Sequence, residues 1–213
     1  MEKLILIDDH KMLRKGIASF ILEKSDWQVA FEAESLSEIP LILQKIKSSN
    51  KNDDSDIYVA VVDIQLKNES GNNYSNGFEA IKLLKENGIE SVVFSSHDTG
   101  SCIETAMSEQ VGAKGFVSKC SSEQVLLDAI DYVSKRQTYI QSDLVTSFIA
   151  RQNLFSMLTK REQQVVKYIE QNYSNEEIAQ RLGIKINTLD NYISIIYDKL
   201  GCQNRTSLLE KLK

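Results

Sequence analysis

The stretch Leu4-Ile-Leu-Ile-Asp8-Asp9-His10 decides the fold. Four apolar residues are too few for a helix, and an acidic pair closes the run, as at the carboxyl end of a buried strand. The same device recurs three times. Tyr58 to Val62 runs into Asp63, Val92 to Phe94 into Ser95, and Phe116-Val117 into Ser118-Lys119. Amphipathic helical patterns lie between these runs, for example Leu13, Ile17, Phe20 and Ile21, with Met12 at the same spacing. Strands alternating with helices predict a parallel sheet, which binds its ligands at the carboxyl ends of the strands.

Four separate segments thus deliver three carboxylates, a hydroxyl and an ammonium to one pocket. Clustered carboxylates repel one another unless a proton or a cation intervenes, and a hard cation with oxygen ligands such as Mg²⁺ suits them. Asp63 is the candidate nucleophile toward a phosphoryl group, with Lys119 pairing with the phosphoryl oxygens and Ser95 hydrogen-bonding another.

In "LILIDDH", "VAVVDI", "VVFSS" and "GAKGFVSK" the chain resembles the receiver domain of two-component response regulators over residues 1 to about 135. The resemblance implies that Asp63 is phosphorylated by a sensor histidine kinase, that Asp8, Asp9 and Asp63 hold Mg²⁺, and that Ser95 and Phe116 are a switch pair. Ser96 is the neighbouring hydroxyl; strand alternation allows only one of the two to face the pocket. His97 and Gln65 are expected at its rim, where they would help or hinder attack by water. His10 is expected to start a helix.

The remaining pattern fits five strand–helix units of an α/β flavodoxin-like (βα)5 domain. Helices are predicted from Lys11 to Glu23, from Ser37 with Pro40 in the first turn, after Gly77, and from Ser122 to Arg136; a strand covers Gln28 to Phe31. Ser48 to Asp56 reads as a surface loop. Lys67 to Asn76 makes a longer polar loop after the acceptor than receivers usually carry. Residues 136–154 are expected to be a linker with a short helix around Leu144, Phe148 and Ile149.

Residues 155–213 carry a second signature. Thr159-Lys-Arg-Glu162 and Ser174-Asn-Glu-Glu177 are capping boxes, opening helices to Gln171 and Leu182. A third helix from Asn187 to Leu200 and a fourth near Asn204 complete an all-α four-helix helix-turn-helix domain. In "LTKREQQVVKYI", "YSNEEIAQRLGIKINTL" and "KLGCQNRTSLL" this segment resembles the DNA-binding domain of NarL/LuxR-type regulators. Lys185, Asn187, Thr188, Asn191, Ser194 and Lys199 are candidate DNA contacts. The pattern departs from that family at Asp190, where a basic residue is usual: an acid near phosphate is repulsive, although Asp can accept from cytosine N4 in the major groove; Asn187 with Asp190 also resembles a helix-capping pair.

Composition limits the alternatives. Of the 213 residues, 42% are hydrophobic and 26% charged, which is ordinary for a soluble globular chain. No apolar run is long enough to span a membrane and no signal peptide is read, so a cytoplasmic protein is expected. Cys102, Cys120 and Cys202 lack metal-site spacing and read as free thiols. Residues 156–213 hold nine Lys/Arg against seven Asp/Glu, within a chain of net charge −5. Two functions remain open. One is a transcription regulator that phosphorylation of Asp63 converts to a DNA-binding homodimer. The other is a phosphoreceiver whose C-terminal helices bind protein. No enzymatic activity is expected beyond self-phosphorylation from small donors and self-dephosphorylation.

Overall fold

The structure, a computed structural model, describes residues 1–49, 56–66 and 76–212. The expected surface loop and the long loop after the acceptor fall largely outside them. The chain divides into two compact units, one of Met1–Asp98 and Cys102–Leu144, the other of Thr99–Ser101 and Val145–Lys213.

In the first unit the elements run β1 (Glu2–Ile7), α1 (Lys11–Lys24), β2 (Gln28–Ala33), α2 (Ile39–Ser49), β3 (Ile57–Val62), α3 (Asn76–Glu86), β4 (Glu90–Ser95), α4 (Gly100–Met107), β5 (Gly115–Ser118), α5 (Glu123–Ser134) and β6 (Tyr139–Ile140). All strands are parallel, in the order β2-β1-β3-β4-β5-β6. The apolar runs are continuous because both sheet faces are covered. Leu4, Leu6, Val59, Val61, Val92, Phe94 and Val117 pack on one face with Ile17 and Ile21 of α1 and Leu126, Ile130 and Val133 of α5. Their alternates Ile5, Ile7, Ala60, Val62, Val93 and Phe116 are buried on the other face. Met12 has the helical spacing of a core residue but is 83% exposed. It lies on the outward face of α1 with Lys15, Gly16 and Ser19, which are exposed too, whereas Leu13, Ile17 and Ile21 face the sheet.

The sequence pattern gave five strands, and the structure adds a sixth. Tyr139 N–H donates to the Lys114 carbonyl and Gln141 N–H to that of Phe116, at 2.9 and 3.1 Å. Beyond Ile140 the backbone leaves the sheet, and the Gln141 side chain continues the ladder: its Oε1 accepts from Ser118 N–H at 2.9 Å and from the Ser121 hydroxyl.

The second unit contains most of α6 (Ser142–Ser156), then α7 (Lys160–Glu170), α8 (Asn175–Leu182), α9 (Ile186–Leu200) and α10 (Arg205–Lys211). Both capping boxes form: Thr159 with Glu162 opens α7, and Ser174 with Glu177 opens α8. Each satisfies two N–H groups that a helix start leaves free. Gly183 and Gly201, at φ 64° and 63°, end α8 and α9 in the left-handed conformation that suits glycine. Phe155, Leu158, Val165, Val166, Ile169, Ile178, Leu189, Ile196, Leu200 and Leu208 form one core. No described helix is long and apolar enough to cross a membrane.

Candidate phosphorylation pocket and nucleic-acid face

The carboxyl ends of β1, β3 and β5 bring Asp8, Asp63 and Lys119 together. Lys119 Nζ lies 2.6 Å from Asp63 Oδ2 and 2.7 Å from Asp8 Oδ2, and both carboxylates are buried. Burial pulls the Lys119 pKa down, but bonds and charge attraction from Asp63 and Asp8 outweigh it, and the net shift is upward. The ammonium therefore stays charged at neutral pH.

Ligand atoms of Asp8, Asp9, His10 and Asp63 lie within 4.8 Å of one another. Three carboxylates at this spacing are the donor set a hard divalent cation requires. His10 stands at the N-cap of α1, with the ring Nδ1 2.8 Å from Asp9 and 3.2 Å from Asp8. Its N–H also donates to Asp8 Oδ1 at 2.7 Å. A histidine read as a helix start is thus in contact with the acidic pair as well.

Two features brace these groups from outside the strand ends. Arg14, itself buried, donates to the Asp8 carbonyl, to Glu32 and to Glu34. Its guanidinium ties the β1–α1 loop to the end of β2. Gly77, at the start of α3, passes so close to the end of β3 that a Cβ there would sit 2.1 Å from the Asp63 carbonyl oxygen. Only a residue without a side chain fits.

Ser95 is buried and Ser96 exposed, as alternation at a strand end requires. The Ser95 hydroxyl accepts from His97 N–H at 3.0 Å, and its carbonyl accepts from Lys119 N–H at 2.9 Å. Gln65 donates its N–H to Asp63 Oδ1 at 3.1 Å, and its side-chain nitrogen is 3.2 Å from His97 Nε2. The two rim residues meet each other. Phe116 is fully buried in β5, between Val93 of β4 and Ile140 of β6. Ser118 was not singled out in the sequence, yet its hydroxyl donates to Asp98 at 2.7 Å and so ties the β4–α4 loop to β5.

In the second unit α9 exposes Lys185 at its N-cap, then Asn187, Thr188, Asp190, Asn191 and Ser194. Lys199 differs. Its Nζ lies 2.8 and 3.0 Å from the two oxygens of buried Glu162. Asp190 does not join a cap with Asn187: the helix begins at Ile186, so Asn187 is its second residue and Asp190 its fifth. Asp190 instead accepts from Asn175 of α8 at 3.4 Å. Tyr192 and Tyr197 are half-buried and pack on the core.

The family model of the response regulator receiver domain matches residues 4–131, and that of the luxR family of bacterial regulatory proteins matches residues 156–212. The chain belongs to the response regulators, with a luxR-family C-terminal domain. Among curated relatives, the transcriptional regulatory protein UhpA of Salmonella typhimurium is 29% identical over 211 residues, spanning 97% of this chain and 95% of UhpA. The response regulator protein VraR of Staphylococcus aureus is 26% identical over 210 residues, spanning 96% and 92%. Among solved structures, RcsB of Salmonella enterica serovar Typhimurium, bound to the promoter rprA in the presence of the phosphomimetic BeF3⁻, superposes with a TM-score of 0.66. At 20% identity, over 100% of this chain and 98% of that one, the likeness is one of fold. Like other response regulators of this architecture, the chain is a DNA-binding regulator of a two-component system.

Proposed function

We propose that Asp63 is the phosphoacceptor of a transcription regulator, that a sensor histidine kinase supplies the phosphoryl group, and that phosphorylation favours a DNA-binding homodimer. One observation carries this reading. A half-buried ammonium sits 2.6 Å from buried Asp63 and 2.7 Å from buried Asp8, beside a third carboxylate, at the carboxyl ends of a parallel sheet. An Asp63 oxygen attacks phosphorus; the P–O bond forms as the P–N bond to the kinase histidine breaks, and the departing imidazole takes a proton. Lys119 then pairs with a phosphoryl oxygen in place of the Asp63 carboxylate. Asp8, Asp9 and Asp63 would hold Mg²⁺, whose charge offsets that of the carboxylates and the phosphoryl oxygens.

The switch follows from the bonds at Ser95. Its hydroxyl leaves the His97 N–H for the phosphoryl group, the β4–α4 loop shifts, and Phe116 repacks in the space vacated. This is a two-state element biased by one new ligand. The receiver occupies residues 1–135 and the DNA-binding domain 155–213, with residues 136–154 joining them. Lys185, Asn187, Thr188, Asn191 and Ser194 meet DNA in the major groove, two copies reading two half-sites. The protein acts in the cytoplasm, where its DNA is.

Asp63→Asn is expected to abolish labelling by acetyl phosphate with Mg²⁺ and any DNA affinity gained from it. Undiminished labelling of the variant would refute the assignment.

A further inference from the structure

Asp190 is an acid on an exposed helix face that it shares with Asn187, Asn191 and Ser194, with a second exposed acid, Asp198, four residues past Ser194. Asn187, Asp190, Asn191 and Ser194 recur at intervals of three and four residues and form one stripe along α9. The capping role is closed to Asp190, because Lys185 is the N-cap residue and the reciprocal position three residues on is Thr188. Among the described residues its hydrogen bond, from Asn175 Nδ2 at 3.4 Å, is single and long, and a carboxylate has about four acceptor sites.

We infer that Asp190 determines sequence specificity, by accepting a hydrogen bond from the N4 amine of a cytosine in the major groove of the target DNA. The inference rests on the DNA-binding reading above. A carboxylate accepts and cannot donate. Guanine offers acceptors N7 and O6, thymine offers acceptor O4, and adenine sets an acceptor N7 beside its amine; cytosine presents a donor amine with no acceptor edge beside it. Phosphate repels the same group, so Asp190 has a favourable place on DNA only at a base edge. The charge of the unit points the same way. Arg161, Lys199, Arg205 and Lys211 each donate to a carbonyl or carboxylate within the unit. Of these only Lys199 is neutralised, by Glu162; the others keep their charge but are held by the fold in place of reaching freely for phosphate.

The test is selection from a random DNA pool by the full-length protein with acetyl phosphate and Mg²⁺, using wild type, Asp190→Asn and Asn175→Ala. Wild type is expected to enrich a two-fold motif with a strongly preferred cytosine at one position of each half-site. Asp190→Asn should lose about tenfold or more of the preference at that position alone, and Asn175→Ala should keep the wild-type motif. If Asp190→Asn selects the same bases with the same strengths, tighter overall or not, Asp190 faces phosphate or solvent and the inference is wrong. If wild type takes up phosphate but enriches no motif, the DNA-binding reading itself fails and carries the inference with it; the wild-type arm alone separates these two failures.

Discussion

The pocket around Asp63 and the exposed stripe of α9 are built in opposite ways. The pocket gathers buried and half-buried side chains from strand ends as far apart in sequence as Asp8 and Lys119, and these charges find their partners within the protein. The stripe comes from a single helix, lies in solvent, and must find most of its partners elsewhere. In the pocket, then, a substitution strands a buried charge, and the consequence is chemical and large. On the stripe the same substitution costs the free protein almost nothing and registers only when DNA is present.

The hardest test of that contrast is Lys119→Met. Loss of the ammonium should slow phosphorylation by acetyl phosphate about 100-fold, the scale of losing one preorganised charge-stabilising donor. Mg²⁺ should bind more tightly, since no ammonium competes for Asp8 and Asp63; calorimetry measures this. The raised pKa of Lys119 means that its stabilising effect is complete below the ordinary lysine value of 10.5 and is lost as pH rises through the higher folded value. Alkaline unfolding of the variant should therefore be less steep above that pH. Weaker Mg²⁺ binding in the variant would break the comparison.

Gly77→Ala asks whether the pocket also depends on backbone close to it. A Cβ against the Asp63 carbonyl forces α3 outward, and a loss of about 1–3 kcal/mol is expected in thermal unfolding, together with slower phosphorylation. An unchanged melting temperature would show that the loop yields freely.

Glu162 belongs to the second unit but is buried and paired like a pocket residue. Burial raises its pKa, while bonds from Lys199 and Thr159 lower it further, for a net downward shift. Its stabilising effect is present above the ordinary value of 4.5 and fades as pH falls through the lower folded value. Glu162→Ala should remove about 1 kcal/mol of cap stability, seen as faster hydrogen exchange in α7. The same change should flatten the acid dependence of that exchange.

The smallest effect is expected at the rim. Gln65→Ala or His97→Ala separates two side chains now 3.2 Å apart and should change the half-life of phosphorylated Asp63 by a few-fold. No change would remove both residues from the hydrolysis step.

The two regions also differed in how far the sequence disclosed them. Asp8, Asp9, Asp63, Ser95 and Lys119 were legible because each ends a short apolar run, and the parallel topology fixes where such ends meet. Arg14 and Gln141 left no such mark, since a polar residue within a helix or after a two-residue strand looks like any solvated one; Ser118 ends a run as well, but nothing local tells that its partner is Asp98. β6 was missed for the same reason: Tyr139-Ile140 is too short to show a period. In the second unit both capping boxes were legible because cap and reciprocal acid are three residues apart. The sequence pattern starts α9 one residue late and puts its cap at Asn187, two residues past the observed Lys185, and that offset suggested a capping role for Asp190. Lys199 was read as a DNA contact, and no local pattern could reveal that Glu162, a whole helix earlier, holds its ammonium.

β6 has a consequence for association. A strand at the margin of a sheet offers unpaired N–H and C=O groups to any other extended chain. Tyr139, Ile140 and the Gln141 side chain fill those positions along β5, so the strand bearing Phe116 is an interior one. The new margin is only two residues long. An approaching extended chain therefore meets only a two-residue template there, too short for the sheet to grow by strand addition on that side.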